Sequence, residues 1–423
     1  MRVQKFVIKG GIPIEGEIQL RGAKNSALPI MAASLLCSGE TILENCPRLT
    51  DIFVACRILT HLGCSCTLNQ HTVSIIANNL INNEIPEDLM QEMRSSIIFL
   101  GAVLGRTGAC QVSYPGGCEL GPRPIDLHLD ALRRMGAEII QSEGRLLCSA
   151  PKGIHGATVH LKFPSVGATE NILLAAVLAK GRTVIYNAAR EPEICDLASF
   201  LRSCGAKIAG EGESTIVIDG VKSLKGCNYR IMPDRIAGIT YLSAAAITGG
   251  KIKLNGTNGA QIENVISLLE QAGCRIYHMD NALYIYAPKR LLSISGIKTM
   301  PHPGFPTDAQ AIFMALMTCA KGVSVFEENI FENRYRHVDA LLKMGANIYV
   351  SGRIAVVEGV QQLSGANINA TDLRGGAAMV LAGLAACGHT EIKQISHIDR
   401  GYESIETVLS DVGADIVRKE EYN

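Results

Sequence analysis

One short pattern recurs six times along the chain and constrains its fold more than any other feature. The pattern is a leucine, three residues, a glycine and then alanine or cysteine, with its glycines at positions 63, 136, 205, 273, 345 and 413. These glycines are almost evenly spaced from one end of the chain to the other. Each copy is typical of a helix that ends at a left-handed glycine and is followed by a strand. Such spacing indicates a fold assembled from repeated supersecondary units.

A second feature precedes each copy of this pattern. An alanine-rich helix ends at another glycine, and an apolar strand follows, as in A-K-G-R-T-V-I and A-K-G-V-S-V-F. Each repeat, the interval from Gly136 to Gly205 for example, is therefore read as strand–helix–strand–helix–strands. Six such repeats occupy nearly the whole chain of 423 residues. We predict an α/β fold built from six repeats.

Composition limits the classes of function. Forty basic residues balance forty acidic ones, which argues against nucleic acid or an anionic membrane as a partner. The fourteen cysteines are dispersed, without any C-x-x-C pair, as expected of reduced thiols in a cytoplasmic protein. The N-terminus lacks the apolar core of a signal peptide. The longest uncharged apolar stretch, Gly375 to Cys387, is shorter than the ~20 residues of a membrane helix, so no membrane insertion is expected.

One copy of the repeat carries an insertion. The segment between the two glycines of a copy is longest in the second copy, where it extends from Gly108 to Gly136. Its surplus falls within Y-P-G-G-C-E-L-G-P-R, which contains Cys118 and is rich in loop-forming residues. Cys118 is either an incidental loop thiol or a functional one. A functional thiol would act as a nucleophile or general acid, and the nearby Arg123 would affect its thiolate fraction. Confinement of the insertion to one copy favours function.

Charged residues occupy equivalent positions at the start of the first helix in most copies. These positions hold Lys24, Arg94, Ser165 with Gly167, Arg235, Asp308 and Arg374. Loops after the next strand add Arg48, Cys118 with Arg123, Glu191 with Glu193, Arg334 and Arg400. Cations at helix N-termini oppose the helix dipole but strengthen an anion site. Taken singly, each arginine is typical of a surface salt bridge. Because the arginines occupy equivalent positions in the repeats, the set predicts a basic cleft that binds a small polyanion.

Asp308 and four of the histidines can be explained without catalysis or metal binding. In H-P-G-F-P-T-D-A-Q, either Thr307 or Asp308 could cap the following helix, and Asp308 could equally be a catalytic base. His128, His302, His337 and His397 lack the spacing of metal ligands. No G-x-G-x-x-G follows a strand. We expect no metal and no dinucleotide cofactor.

Seven motifs carry a family resemblance. They are G-A-K-N-S-A-L-P, P-G-G-C-E-L-G-P-R-P-I-D-L-H, P-S-V-G-A-T-E-N, A-A-R-E-P-E-I, P-G-F-P-T-D, F-E-N-R and H-I-D-R-G-Y. Together they closely resemble the UDP-N-acetylglucosamine enolpyruvyl transferases of the enolpyruvyl transferase superfamily. The resemblance extends from about residue 10 to the C-terminus.

The resemblance implies a fold and a reaction. The fold is a two-domain inside-out α/β barrel with three repeats in each domain. The expected domains are residues 21–230, carrying the Cys118 loop, and residues 1–20 with 231–423. The reaction transfers the enolpyruvyl group of phosphoenolpyruvate to the 3′-hydroxyl of UDP-N-acetylglucosamine, through a tetrahedral adduct, and releases phosphate in peptidoglycan synthesis. The substrates are the small-molecule partners, and neither metal nor cofactor is required.

The resemblance also implies residue roles. Cys118 matches the proton donor and the target of the epoxide inhibitor fosfomycin, and Asp308 matches the base for the hydroxyl. The phosphoenolpyruvate groups are matched by Lys24, Arg94, Arg123 and Arg400, with Asn25 as a substrate contact. The nucleotide contacts are matched by Arg123, Pro124, Ile125, Asp126, Leu127, Ser165, Val166, Gly167 and Ile330. Arg334 and Arg374 match a second basic tier.

One stretch departs from the family pattern. Residues Asp234 to Tyr241 read D-R-I-A-G-I-T-Y, where the family usually has D-R-I-E-A-G-T-Y. Two alternative functions stay open. One is transfer to another acceptor such as shikimate 3-phosphate, and the other is a paralogue that binds nucleotide sugar without turnover.

Overall fold

The computed structural model describes residues 2–114, 125–257 and 259–422. Over these residues the chain forms 14 α-helices and 26 strands. The helices are α1 (Lys24–Ala33), α2 (Thr50–His61), α3 (Glu87–Glu92), α4 (Phe99–Thr107), α5 (Asp126–Arg134), α6 (Val166–Ala176), α7 (Pro192–Ser203), α8 (Arg235–Thr248), α9 (Glu263–Gln271), α10 (Gln310–Met317), α11 (Val338–Lys343), α12 (Leu373–Ala385), α13 (Ser396–Asp399) and α14 (Ile405–Asp411). Short 3-10 helices span Ser34–Leu36, Arg94–Ile98 and Thr307–Ala309.

The strands are short, and most have five residues or fewer. They are β1 (Arg2–Lys9), β2 (Glu15–Gln19), β3 (Cys37–Ser38), β4 (Glu40–Glu44), β5 (Ser65–Asn69), β6 (Thr72–Ile76), β7 (Glu84–Ile85), β8 (Ala109–Ser113), β9 (Glu138–Ser142), β10 (Arg145–Ser149), β11 (Thr158–His160), β12 (Arg182–Tyr186), β13 (Lys207–Ala209), β14 (Thr215–Asp219), β15 (Leu224–Lys225), β16 (Asn228–Arg230), β17 (Lys251–Asn255), β18 (Arg275–Met279), β19 (Ala282–Tyr286), β20 (Ile297–Lys298), β21 (Val323–Glu327), β22 (Asn347–Ser351), β23 (Ile354–Glu358), β24 (Asn367–Asn369), β25 (His389–Lys393) and β26 (Asp415–Tyr422).

The chain divides into two compact units, each with its own hydrophobic core. The N-terminal unit contains residues 22–114 and 125–232, and the C-terminal unit contains residues 2–21 and 233–422. Each unit has three four-stranded sheets of one pattern, in which a parallel pair continues into two antiparallel pairings. In the N-terminal unit their strand orders are β16-β4-β6-β5, β7-β8-β10-β9 and β11-β12-β14-β13. In the C-terminal unit they are β2-β17-β19-β18, β20-β21-β23-β22 and β24-β25-β1-β26.

The repeat glycines have the backbone conformation that the pattern predicts. All six adopt positive φ, from 87° at Gly345 to 105° at Gly205. Each ends the second helix of its repeat and reverses the chain into the next strand. The predicted six-repeat α/β architecture is confirmed.

The first helix of each repeat is almost entirely buried. In the N-terminal unit α1, α4 and α6 pack against one another, and in the C-terminal unit α8, α10 and α12 do so. Small residues permit this packing: a Cβ at Gly101 of α4 would lie 2.4 Å from the carbonyl oxygen of Asn171 on α6. Strands such as β4 alternate between buried and exposed residues, as expected where one sheet face covers the helices. The helices are therefore internal and the sheets external.

The N-terminal residues complete two sheets of the C-terminal unit. Strand β1 lies between β25 and β26, so that Val7 is opposite both Glu391 and Val417. Strand β2 runs parallel to β17. Among the described residues, no helix is both long enough and apolar enough to cross a membrane.

Candidate active site

Asp308 lies in a 3-10 turn that leads into the buried helix α10. Its carboxylate oxygens accept hydrogen bonds from two arginines, Oδ1 from Arg334 Nη2 at 2.8 Å and Oδ2 from Arg374 Nη2 at 3.2 Å. The neighbouring Thr307 hydroxyl donates to Glu328 at 3.0 Å. These contacts give both side chains partners other than the helix backbone. Neither Thr307 nor Asp308 caps the following helix with its side chain, and both belong to a side-chain hydrogen-bond network.

Arg334 is fixed on several sides. Its side chain is 3% exposed, whereas that of Asp308 is 29% exposed. Besides the bond to Asp308, its Nε and Nη2 donate to the carbonyl oxygen of Thr307 at 3.3 and 3.1 Å. The guanidinium also lies over the ring of Phe331, 5.6 Å from its centroid. Arg334 thus orients both the carboxylate and the backbone of the turn.

Arg374 approaches the carboxylate from the start of α12. Asp372 caps that helix by accepting from the backbone N–H groups of Arg374 and Gly375, both at 3.0 Å. Arg374 Nη1 donates to the hydroxyl of Tyr402 at 3.1 Å, and this hydroxyl is 2.7 Å from Thr240 Oγ1. Burial alone would lower the pKa of the guanidinium, but Tyr402 and Asp308 raise it overall. Arg374 is therefore a charged group that is buried among polar partners.

Asp308, Arg334 and Arg374 form one hydrogen-bonded cluster, with the carboxylates of Asp372 and Glu328 beside it. Such a cluster can hold the Asp308 carboxylate in a fixed orientation towards a substrate hydroxyl. We call it the Asp308 cluster.

Other predicted residues of the C-terminal unit lie on separate elements. Arg400 directly follows α13 and is partly exposed, and Ile330 donates its backbone N–H to Glu328 at 2.9 Å. At the departure from the family pattern, Asp234 caps α8 through the N–H groups of Ile236 and Ala237. The helix therefore starts normally despite the altered sequence. Arg235, its first residue, is buried.

Lys24 is the first residue of α1 in the N-terminal unit. Its Nζ lies 3.1 Å from Asp51 Oδ2, and the two side chains are only 12% and 3% exposed. Asn25, the next residue, is exposed, as is Arg48 in the loop before α2. The first turn of α1 has no acidic residue to oppose an anion. The Lys24 ammonium thus lies at the helix start, with the carboxylate of Asp51 as its partner.

Ser165, Val166 and Gly167 form the start of α6. Ser165 is the N-cap, and its hydroxyl accepts from the N–H of Ala168 at 3.3 Å. A Cβ at Gly167 would lie 3.0 Å from Cε1 of His128, so the absence of a side chain permits this close approach. Burial lowers the pKa of His128 to about 4, and its Nδ1 lies 2.8 Å from the side-chain amide of Asn171. A neutral imidazole therefore supports the turn.

The remaining predicted residues are Arg94 and those of the inserted loop and its C-terminal border. Ile125 is the N-cap of α5, Asp126 is its exposed first residue, and Leu127 is partly buried. Arg94 begins the 3-10 helix Arg94–Ile98, whereas an α-helix start was expected there. The side chain of Arg94 and the residues Cys118, Arg123 and Pro124 lie outside the described part of the structure.

Sequence reasoning missed several buried polar residues near these sites. Tyr402 is the last residue of the motif H-I-D-R-G-Y, and Glu328 precedes the F-E-N-R motif. Glu170, on α6, is buried beside Glu193 and Glu191, and its pKa is raised well above the ordinary value by burial and by these carboxylates. Only the position of these residues in or beside the motifs could have drawn attention to them.

Comparison with known proteins assigns the class. The protein-family model of EPSP synthase (3-phosphoshikimate 1-carboxyvinyltransferase) matches residues 8–409. The structure of the enolpyruvyl transferase NikO from Streptomyces tendae superposes with a TM-score of 0.89 at 24% identity and covers 100% of both chains. EPSP synthase from Acinetobacter baumannii gives 0.76 at 20% identity, covering 98% of this chain and 100% of that one. The chain therefore belongs to the EPSP synthase family of carboxyvinyltransferases.

Within this family, similar relatives share one name. UDP-N-acetylglucosamine 1-carboxyvinyltransferase 2 of Caldanaerobacter subterraneus is 47% identical over 98% of this chain and 99% of its own length. UDP-N-acetylglucosamine 1-carboxyvinyltransferase of Nitratidesulfovibrio vulgaris strain Miyazaki F is 48% identical over 99% and 100%. The resemblance drawn from the sequence motifs is confirmed.

Proposed function

We propose that the protein transfers the enolpyruvyl group of phosphoenolpyruvate to the 3′-hydroxyl of UDP-N-acetylglucosamine and thereby commits this sugar to peptidoglycan. The observation that carries the proposal is the 47% and 48% identity, over nearly the full length, to relatives named for this activity. The hydroxyl oxygen forms a bond to C2 of phosphoenolpyruvate while the methylene gains a proton. Loss of a proton from the resulting methyl group and of phosphate then restores the double bond.

Asp308 is proposed as the base that accepts the proton of the 3′-hydroxyl. Its carboxylate is partly exposed and is oriented by two buried guanidiniums, so it can face a substrate without reorganising. Arg334 and Arg374 form the second basic tier and hold the turn in place. A positioned base of this kind contributes typically ~10²–10⁴-fold to the rate.

Phosphoenolpyruvate is proposed to bind the cations of the predicted anion site. These are Lys24, Arg94, Arg123 and Arg400, with Asn25 as an additional contact. Lys24 is supported by its place at a helix start without an acidic first turn, where dipole and side chain act together. Asp51 fixes the direction of its ammonium group.

The nucleotide is proposed to contact two helix starts and one loop. The uridine contacts are Arg123, Pro124, Ile125, Asp126 and Leu127, and the diphosphate contacts are Ser165, Val166 and Gly167. Ile330 completes the set. The start of α6, capped by Ser165 and without an acidic residue in its first turn, supports phosphate binding at this turn.

Cys118 is proposed as the proton donor to the methylene carbon and as the site of fosfomycin alkylation. The protein is further proposed to act in the cytoplasm, where both substrates are available, and without a metal or organic cofactor.

A phosphate-release assay with phosphoenolpyruvate tests the proposal. We expect release with UDP-N-acetylglucosamine, none with shikimate 3-phosphate, and inhibition by fosfomycin. Cys118→Asp should retain activity and resist fosfomycin, whereas Cys118→Ala should lose most activity. Tight UDP-N-acetylglucosamine binding without phosphate release would instead establish the non-catalytic paralogue.

A further inference from the structure

Glu328 is a buried carboxylate immediately after strand β21, and it is 1% exposed. Its Oε1 accepts the backbone N–H groups of Ile330 at 2.9 Å and Phe331 at 3.0 Å. Both of its oxygens lie within reach of the Thr307 hydroxyl, at 3.1 and 3.0 Å. Three donors thus surround this buried carboxylate, and its charge strengthens the bonds that they make.

These contacts connect two functional segments through one side chain. Thr307 directly precedes Asp308, the proposed base, and Ile330 is a proposed nucleotide contact. On its other side, Thr307 accepts from Arg334 Nη2 at 3.1 Å through its carbonyl oxygen. The turn that carries Asp308 is therefore held between the carboxylate of Glu328 and the guanidinium of Arg334.

A neutral replacement would weaken this arrangement. A glutamine at position 328 would direct its amide N–H₂ either at the two backbone N–H groups or at the Thr307 hydroxyl. In the first orientation two donors would face donors within a buried site, which is unfavourable. In the second, the amide oxygen keeps the two backbone N–H groups and the Thr307 hydroxyl at 3.1 Å as donors, but the negative charge that strengthens these bonds is lost. Either outcome weakens the connection between the two segments.

We propose that Glu328 is a positioning residue for the enolpyruvyl transfer. Its carboxylate fixes the position of the Asp308 turn relative to the loop at residues 330–331. The proposal rests on the proposed function, because its consequences for catalysis require Asp308 to act as the base. Glu328 acts through Thr307 and the loop backbone without touching the substrate.

Glu328→Gln tests this proposal, with Glu327→Gln as the matched control. Glu327 is adjacent and of the same type, but it is 41% exposed and pairs with Lys298 on the neighbouring strand at 3.1 Å. For Glu328→Gln we expect kcat/KM for UDP-N-acetylglucosamine to fall by about 10- to 100-fold, as for loss of charge-assisted hydrogen bonds. Both a lower kcat and a higher KM for the nucleotide sugar should contribute, while KM for phosphoenolpyruvate stays unchanged. A purely structural role would instead reduce the active fraction and leave both KM values unaltered.

A double-mutant cycle with Thr307→Val tests the link itself. Because the Thr307 hydroxyl acts through Glu328, the fold-decrease in kcat/KM of the double variant should be smaller than the product of the fold-decreases of the two single variants. Independent losses, or a Glu328→Gln variant as active as Glu327→Gln, would overturn the proposal.

Hydrogen exchange separates this proposal from the proposed function. The amides of Ile330 and Phe331 should exchange faster in Glu328→Gln than in the wild type and in Glu327→Gln. An inactive wild type would refute enolpyruvyl transfer, and the exchange comparison would still decide whether Glu328 orders the loop. Unchanged exchange at both amides would refute the role of Glu328 whatever the activity.

Discussion

His337 makes the C-terminal unit sensitive to acid. It directly precedes α11 and is fully buried. Burial lowers the pKa of its imidazole to about 4, although the nearby carboxylate of Asp372 acts in the raising direction. The guanidinium of Arg334 lowers this pKa further. The folded protein therefore holds the imidazole neutral.

The sign and size of the effect follow from linkage. In the unfolded chain the imidazole binds a proton near its ordinary pKa of about 6.5, so between about pH 6.5 and pH 4 the unfolded state binds more protons. The free energy of unfolding must then fall as the pH is lowered through this window. The difference of about 2.5 between the two pKa values corresponds to about 3 kcal/mol in total, and to about 2 kcal/mol at pH 5.

Urea unfolding followed by tyrosine fluorescence measures this directly. All tyrosines except Tyr114, Tyr186 and Tyr229 lie in the C-terminal unit, and the chain has no tryptophan, so the signal reports mainly on that unit. When the pH is lowered from about 7.5 to about 5, the free energy of unfolding should fall by about 2 kcal/mol less in His337→Phe than in the wild type. The exposed His389 provides the control, and His389→Gln should behave as the wild type. Equal pH dependence in His337→Phe and the wild type would refute the reasoning.

Three further predictions concern the proposed site. Asp308→Asn should lower kcat by about 10²–10⁴-fold, because the proposed base is lost. It should also lower the free energy of unfolding by roughly 3 kcal/mol, because two buried guanidiniums lose their counter-charge. Near-normal turnover in the phosphate assay would contradict the role of Asp308 as the base. Gly167→Ala places a Cβ 3.0 Å from His128 and should weaken UDP-N-acetylglucosamine binding several-fold by calorimetry, whereas Gly296→Ala, with open space around its Cβ, should not. Lys24→Ala removes the ammonium group at the start of α1 and should raise KM for phosphoenolpyruvate several-fold, and an unchanged KM would exclude Lys24 from that site.

Much of the architecture is predictable because the repeat is encoded in local signals. A glycine must adopt positive φ to end each second helix, so Gly205 and Gly345 reveal the repeat without any tertiary information. The starts of the first helices are likewise local, and Lys24 and Arg235 are each the first residue of a helix as expected.

The remaining features depend on contacts between distant residues. Strand β1, at the start of the chain, inserts between β25 and β26 at its other end, and no local pattern specifies that pairing. The side chains of the 3-10 turn at Asp308 bond to Arg334 and Glu328, which lie some 20 residues or more along the chain. Buried hydrogen-bond partners such as Tyr402 and Glu328 have no sequence signature of their own. The positions of Cys118 and Arg123 stay a prediction from the motif.

The most direct test of the central claim is the product itself. Incubation of the purified protein with phosphoenolpyruvate and UDP-N-acetylglucosamine, followed by mass spectrometry and phosphate determination, measures both halves of the reaction. We predict a nucleotide sugar heavier by one enolpyruvyl group, formed in equal amount with phosphate and only when both substrates are present. An unmodified nucleotide sugar, from a sample shown to be folded, would contradict the account.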